Sequence, residues 1–337
     1  MAKPKSDVPD GLNEEYYQVN QDILGSFNKF RPPLDLFRLK EDVVRLLPYY
    51  KVGGRLTTQQ AEELPELTKQ GLIFVSRKDH AVYVKHISYQ LDLVLIDKNL
   101  HEREIADIFT QALTRRMEEF LDQPVKPVFE KLYADLMVLT EYLIFDIHRV
   151  RALLRRLHKE HSLAKHSFNC GVAGLALYGF INSNNFEEGG VKRTFFDRLT
   201  LGLFLHDMGM SKVPKFILDK DKPLTTDERN KILQHPMHGV EMLAKLDIKH
   251  PELEQCVLEH HERLTGSGYP QKKNADNITQ IGRICGLVDS WCAMTTKRVY
   301  AEAMEPMAAL RALMEDSGYD RQLGQQMQLM LVERMKH

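Results

Sequence analysis

The pattern of apolar and polar positions divides this chain of 337 residues into two regions. Up to about residue 98 the runs are short and mixed. Asn13–Leu24 has helical spacing, Pro32 and Pro33 break the chain, and Leu34–Leu39 suits a short strand. Thr57–Lys69 has helical spacing, with Thr57 or Thr58 as its N-cap. Gly71–Ser76 and Ala81–Ile87 are strand-like runs on either side of a turn at Lys78–His80. These predict a small α/β module, and nothing in it has the spacing of a phosphate loop or a metal cluster.

From Glu102 the period becomes helical, with Ile105, Ile108, Phe109, Leu113 and Met117 on one face. A second long helix is predicted after Pro127, through Phe129, Leu132, Leu136, Leu139, Leu143 and Ile147 into Arg149–Lys159. Its basic cluster, Arg149, Arg151, Arg155, Arg156 and Lys159, reads as a solvated helix face rather than an anion site. After His161 almost everything is helical, and Thr225 with Glu228 has the spacing of a capping box. The expected fold is mainly α. Residues 1–125 form an α/β regulatory or sensory module, 126–160 a connector helix, and 161–337 an all-helical domain.

Charge narrows the partners. Lys plus Arg is 46 against 47 for Asp plus Glu, which gives no electrostatic case for binding genomic nucleic acid or for a polybasic membrane anchor. The first residues have no apolar core of a signal peptide, and no run is long enough to span a bilayer, so a cytoplasmic protein is expected. Cys170, Cys256, Cys285 and Cys292 form no CxxC pair and read as small buried thiols.

The candidate chemistry lies among the fourteen histidines. His166, His206-Asp207, His235, His260-His261 and Asp289 offer five imidazoles and two carboxylates from separate helix ends. Such a donor set suits Fe, Mn, Ni, Co or Zn. A lone histidine such as His86 or His148 is more often a core or surface group, so the neighbourhoods of the seven decide their meaning.

Those neighbourhoods are HSFNCGVAGLA, LHDMGMSKVP, LQHPMHGVEML, HHERLTGSGYP and RICGLVDSWCAMTTKRVY. In order and spacing they resemble the HD-GYP family of the HD phosphohydrolase superfamily, from His166 to Tyr300. The resemblance implies an all-helical domain that hydrolyses the bacterial second messenger cyclic di-GMP to linear pGpG, GMP or both. It implies two transition-metal ions, most simply Fe or Mn. One would be held by His166, His206, Asp207 and Asp289, and the other by Asp207, His235, His260 and His261. Asp207 would bridge, and His206 with Asp207 would form the catalytic pair. Gly268, Tyr269 and Pro270 would lie on a loop beside the substrate, with Arg298 on a guanine or phosphate. Glu262 would either orient a histidine ligand or stand as a solvated or helix-pairing carboxylate. A homodimer and signalling partners are compatible with such a domain.

Several positions depart from the family pattern. Met210 stands where HDxGK has Lys, and Ser162 where some members carry a Glu for a third metal. Thr265 replaces the Asp of DGxGYP, Val299 the Pro of R-P-Y, and Ala301 the basic residue after it. Three functions follow: a cyclic di-GMP phosphodiesterase, a cyclic-dinucleotide receptor with little turnover, and a hydrolase of another cyclic dinucleotide such as cyclic GMP-AMP.

Overall fold

A computed structural model describes residues 15–19, 21–40, 45–79, 82, 91–96, 100–298 and 301–334. The chain separates into two compact units, Met1–Gln111 and Ala112–His337.

The first unit is built on four antiparallel strands, β1 (Tyr16–Gln18), β2 (Leu36–Lys40), β3 (Arg45–Tyr50) and β4 (Ile73–Ser76), in the order β1-β4-β2-β3. Helix α1 (Gln21–Ser26) follows β1. Helix α2 (Thr58–Lys69) starts at Thr57, whose hydroxyl accepts from the Gln60 amide while the Gln60 side chain accepts from the Thr57 amide. The helix expected at Asn13–Leu24 is instead partly strand. Tyr17 faces Val75 and Gln18 faces Phe74, and the Tyr16 ring meets Phe37 edge-on at 5.1 Å. Pairing with β4 outweighs the local helical spacing there. Strand β3 has no counterpart in the sequence reading, because Pro48 argues against a strand. It is tolerated because β3 lies at the sheet edge. The strand expected at 81–87 lies outside the described residues apart from Val82, as does His86.

Helix α3 (Leu93–Ile96) precedes α4 (Glu102–Asp122), which runs across the division between the units. Helix α5 (Lys126–Ile144) buries Leu132, Leu136, Leu139 and Leu143 completely. The expected continuation into Lys159 does not occur. Asp146 turns extended, and its carboxylate accepts from the His148 amide to start a 3-10 turn at Ile147–Arg149, followed by the short α6 (Val150–Leu154). A local side-chain acceptor here competes with the helix ladder.

The remaining helices frame the site. They are α7 (Leu163–Ile181), α8 (Ser183–Glu187), α9 (Arg193–Leu205), α10 (Lys215–Leu218), α11 (Thr226–Leu233), α12 (His235–Lys245), α13 (Pro251–Glu259), α14 (Gln280–Thr295), α15 (Pro306–Glu315) and α16 (Arg321–Arg334). Helix α9 packs on α5, α7 and α13, and α14 packs on α7 and α13. The Thr225–Glu228 capping box forms as expected. Among the described residues, no helix is long and apolar enough to cross a membrane.

Candidate metal centre

Helix ends deliver the donors. Ser162 caps α7 by accepting from the Lys165 amide, which places His166 in the first turn. His206 closes α9, and Asp207 begins the tight turn Met208–Lys212. Gly209 in that turn lies so close to the His235 carbonyl and the Gly239 amide that a Cβ would collide with backbone. The HD turn and the start of α12 are therefore held together by the absence of a side chain. His235 opens α12 with Pro236 behind it, and His260 closes α13. Asp289 projects from within α14.

Two groups of potential ligands result. His166, Cys170, His206 and Asp289 form one, and Asp207, His235, His260 and His261 form the other, each with donor atoms within 4.8 Å of one another. Asp207 joins them. Its Oδ1 is 3.1 Å from His235 Nε2 and 3.5 Å from His260 Nε2. Its Oδ2 is 3.6 Å from His166 Nε2 and 3.8 Å from His206 Nε2. Asp289 Oδ1 is 2.9 Å from His166 Nε2, and its Oδ2 is 3.8 Å from His261 Nδ1. The seven residues singled out by the sequence thus come together.

The hydrogen-bond pattern tests whether this cluster suits metal. His206, His235 and His260 each place Nδ1 on a backbone carbonyl, of Leu203 at 3.0 Å, Ile232 at 2.7 Å and Cys256 at 2.9 Å. Nδ1 must then carry the proton, leaving each Nε2 with an inward lone pair. His235 Nε2 and His260 Nε2 are only 3.0 Å apart, so two lone pairs face each other beside a carboxylate. His206 Nε2 is fully buried and has no hydrogen-bond partner. Such an arrangement suits a bound cation, with a proton as the alternative when no ion is present, because a buried acceptor pair and an orphaned nitrogen are otherwise costly. Cys170 is a packing neighbour rather than a donor. Its Sγ lies 3.6 Å from His166 Nε2 and 3.8 Å from Nδ1, beside the ring and not beyond Nε2 where a shared ion would sit.

The titration pattern agrees. Burial would push the Asp207 carboxyl up, but the His206, His235 and His260 imidazoles outweigh it and hold it well below the usual carboxylate range. Asp289 is likewise held down against burial by His166, His206 and His261. Burial lowers His206, yet the Asp207 and Asp289 carboxylates outweigh it and raise its pKa to about 9. Burial keeps His260 and His261 below the ordinary imidazole value. The neighbours thus favour the charged form of both carboxylates and of His206.

The open side lies at His261, whose side chain is 20% exposed, against 0–3% for the other four histidines. Tyr269 covers it, its ring stacked on His261 at 4.6 Å and its amide donating to the His261 carbonyl. Burial first, then the Asp207 and Asp289 carboxylates, push the Tyr269 hydroxyl well above its ordinary pKa. The Tyr269–Pro270 peptide is cis. Gly268 is buried where a Cβ would lie 2.5 Å from the Glu262 Cα, the Arg263 amide and the His261 carbonyl. Thr265 is exposed and its hydroxyl pairs with Ser267 within the loop.

Glu262 takes neither of the two roles the sequence left open. It is buried and accepts from the amides of Gln271 at 2.6 Å and Lys273 at 2.9 Å, closing the loop. The sequence reading missed two supports. Buried Glu259 accepts from Lys273 Nζ and from the Thr279 amide and hydroxyl. Arg263 donates to the His260 and Glu262 carbonyls, and Tyr319 packs under its guanidinium at 4.5 Å. The run of charged residues flanking His260-His261 was the only signal for them.

Arg298 follows a short parallel bridge in which the Lys297 amide donates to the Lys159 carbonyl and the His161 amide to the Lys297 carbonyl, and the His161 ring lies 5.7 Å from that of His166. His161 keeps an open face to solvent, but surrounding protein first, then the Arg298 cation, lower its pKa to about 4. Ala301 pairs with Arg298 through backbone hydrogen bonds. Val299 and Tyr300 lie outside the described residues.

Known proteins align with this region. Residues 190–323 match the family model of the HD domain, which takes in His206 through Asp289 and leaves His166 ahead of it. The chain is 36% identical over 115 residues to the cyclic di-GMP phosphodiesterase response regulator RpfG of Xanthomonas campestris, covering 34% of this chain and 30% of that protein. It is 34% identical over 123 residues to the 3'3'-cGAMP-specific phosphodiesterase 3 of Vibrio cholerae, covering 36% of this chain and 26% of that one. The chain thus spans less than a third of the length of these curated relatives. The solved structure of Bd1817, a HDG"Y"P protein from Bdellovibrio bacteriovorus, superposes with a TM-score of 0.59 at 14% identity, over 94% of this chain and 99% of that one. The fold, the motif order and these matches agree that residues 190–323 match the HD domain and that this region is similar to cyclic-dinucleotide phosphodiesterases.

Proposed function

We propose that the protein is a metal-dependent phosphodiesterase that opens a cyclic dinucleotide, cyclic di-GMP first, at a centre of two metal ions. The single observation that carries this reading is Asp207 lying between the imidazoles of His166 and His206 on one side and those of His235 and His260 on the other. His166, His206, Asp207 and Asp289 would hold one ion, and Asp207, His235, His260 and His261 the other. A donor set without thiolate favours Fe or Mn over Zn. Two such ions supply Lewis acidity toward a phosphate and lower the pKa of bound water.

The chain's own residues do the rest. Five neutral imidazoles add no negative charge, so an incoming phosphodiester meets a net cationic site. The carbonyl contacts of His206, His235 and His260 fix the ring directions before substrate arrives. Arg298 offers a cation for a phosphate or a donor for a guanine edge. The loop with Gly268, Tyr269 and Pro270 bounds the open side. Residues 1–125 would act as the regulatory module, 126–160 as the connector and 161–337 as the catalytic domain.

A second reading, slow turnover or a different cyclic dinucleotide, has one observation in its favour. Met210 lies three residues after Asp207, its amide donating to the Asp207 carbonyl, and offers a thioether where the family pattern has an ammonium. The test is hydrolysis by metal-reconstituted protein in water enriched in oxygen-18. Each bond cut should leave one labelled oxygen on the product phosphate, and a chelator should abolish the reaction. Unlabelled product, or undiminished cleavage after chelation, contradicts the proposal.

A further inference from the structure

The five imidazoles of the cluster are not held alike. Three of them anchor Nδ1 on a backbone carbonyl. His166 is tied to Asp289 at 2.9 Å and flanked by the Cys170 sulfur. His261 has neither support. The nearest carboxylate oxygen is 3.8 Å from its Nδ1, too long for a hydrogen bond, and its side chain is the most exposed of the five. Left to itself, an imidazole at a helix end would sample several rotamers and lose orientation toward an ion.

What fixes His261 is contact with neighbouring rings. His260 lies at 4.1 Å between centroids, tilted by 43°, and His235 meets it edge-on at 5.0 Å. Tyr269 lies at 4.6 Å and 25°, the closest of the three to parallel. The tyrosine can hold that place because its loop is closed at both ends. Its amide donates to the carbonyl of His261 itself. Gly268 allows the backbone to press against residues 261–263. The buried Glu262 carboxylate gathers the amides of Gln271 and Lys273 beyond it. The clamp and the ring it clamps are therefore one local structure, residues 261–273.

We propose that Tyr269 is a positioning residue for His261, setting the affinity of the second metal site through its ring face rather than its hydroxyl. This goes beyond the substrate-side role implied for the loop, and it rests on the two-ion reading of the centre. Groups that orient metal ligands typically change affinity by about 10–100-fold when removed. The ring is the working part, so Phe is an adequate replacement and an aliphatic side chain is not. Glu262 acts one step further out, by holding the loop that carries the ring.

The experiment is a manganese(II) titration of the full chain, following free ion by electron paramagnetic resonance, for the parent, Tyr269→Phe, Tyr269→Leu and Glu262→Gln. Circular dichroism checks that each is folded, and Tyr269→Met replaces the Leu variant if that one is not. The parent should bind two ions. Tyr269→Phe should match it. Tyr269→Leu should bind one ion as the parent does and the other about 10–100-fold more weakly, with Glu262→Gln shifted in the same direction. A parent that takes up no second ion overturns the binuclear reading and this proposal with it. A parent with two ions, beside a Leu or Met variant that keeps both at parental affinity, overturns the positioning role alone. A Phe variant as weak as the Leu variant also overturns it, because the hydroxyl would then be the working group.

Discussion

Replacing Asp207 by Ala is the perturbation whose consequence can be worked furthest. Its two oxygens face four imidazoles, at 3.1 and 3.5 Å on one side and 3.6 and 3.8 Å on the other. Each proposed site would fall from four protein ligands to three. A four-ligand structural zinc site is worth about 10–16 kcal/mol, hence about 3–4 kcal/mol per ligand if shared evenly. Each ion should then bind about 10²–10³-fold more weakly. His166→Ala removes a donor from one group only, so it should weaken one ion and spare the other. Elemental analysis after reconstitution and dialysis, together with manganese titration, measures both variants. The ordering is the test. An Asp207→Ala protein that keeps both ions at parental affinity, or loses no more than His166→Ala, refutes the bridge.

Other outcomes follow from the same geometry. His206 holds its proton more tightly folded than unfolded, with a pKa raised from 6.5 to about 9. It therefore stabilises the metal-free fold below about pH 6.5, and that contribution is lost as pH rises through about 9. A metal ion must displace the same proton, so affinity should strengthen by up to about tenfold per pH unit between those values, read as proton release by calorimetry; a pH-independent affinity would contradict the assignment. Met210→Lys should raise the single-turnover rate, by up to about 10²–10³-fold, more than it tightens substrate binding; no gain at equal metal occupancy would mean the side chain does not face the phosphate. Truncation to start near residue 100 should leave a folded, metal-binding protein. Truncation to start at Lys126 should cost stability, because it strips Phe120 from Phe129, Arg116 from Asp135 and Thr114 from His158; equal thermal midpoints for the two would contradict this.

The donors were legible in the sequence because chemistry confines them to few residue types, and the flanking motifs kept their order. The N-cap at Thr57 and the capping box at Thr225 were legible for a similar reason, since each is a local hydrogen-bond pattern within four residues. Strand β1 was not, because Tyr16–Gln18 becomes a strand only through its partners in β4. The end of α5 was missed because one aspartate, Asp146, decides it against a continuing apolar period. The scaffold of the loop was hidden for a third reason. Glu259 and Arg263 have no motif to mark them, and Glu262 stays open between a ligand-orienting and a solvated role, until the fold buries the two carboxylates and sets all three against backbone. Met210, Thr265 and Ala301 were visible as departures, and the structure sets two of them in backbone-paired turns and Thr265 against Ser267.

The central claim is that this cluster, once loaded with metal, cuts a cyclic dinucleotide. The most direct measurement is a single-turnover incubation of protein with its metal content counted beforehand, against cyclic di-GMP and cyclic GMP-AMP in parallel, resolving products by chromatography. The account expects a linear dinucleotide to appear in proportion to chains carrying two ions, and faster from cyclic di-GMP. Protein with two ions per chain that binds either nucleotide and leaves both intact would contradict it.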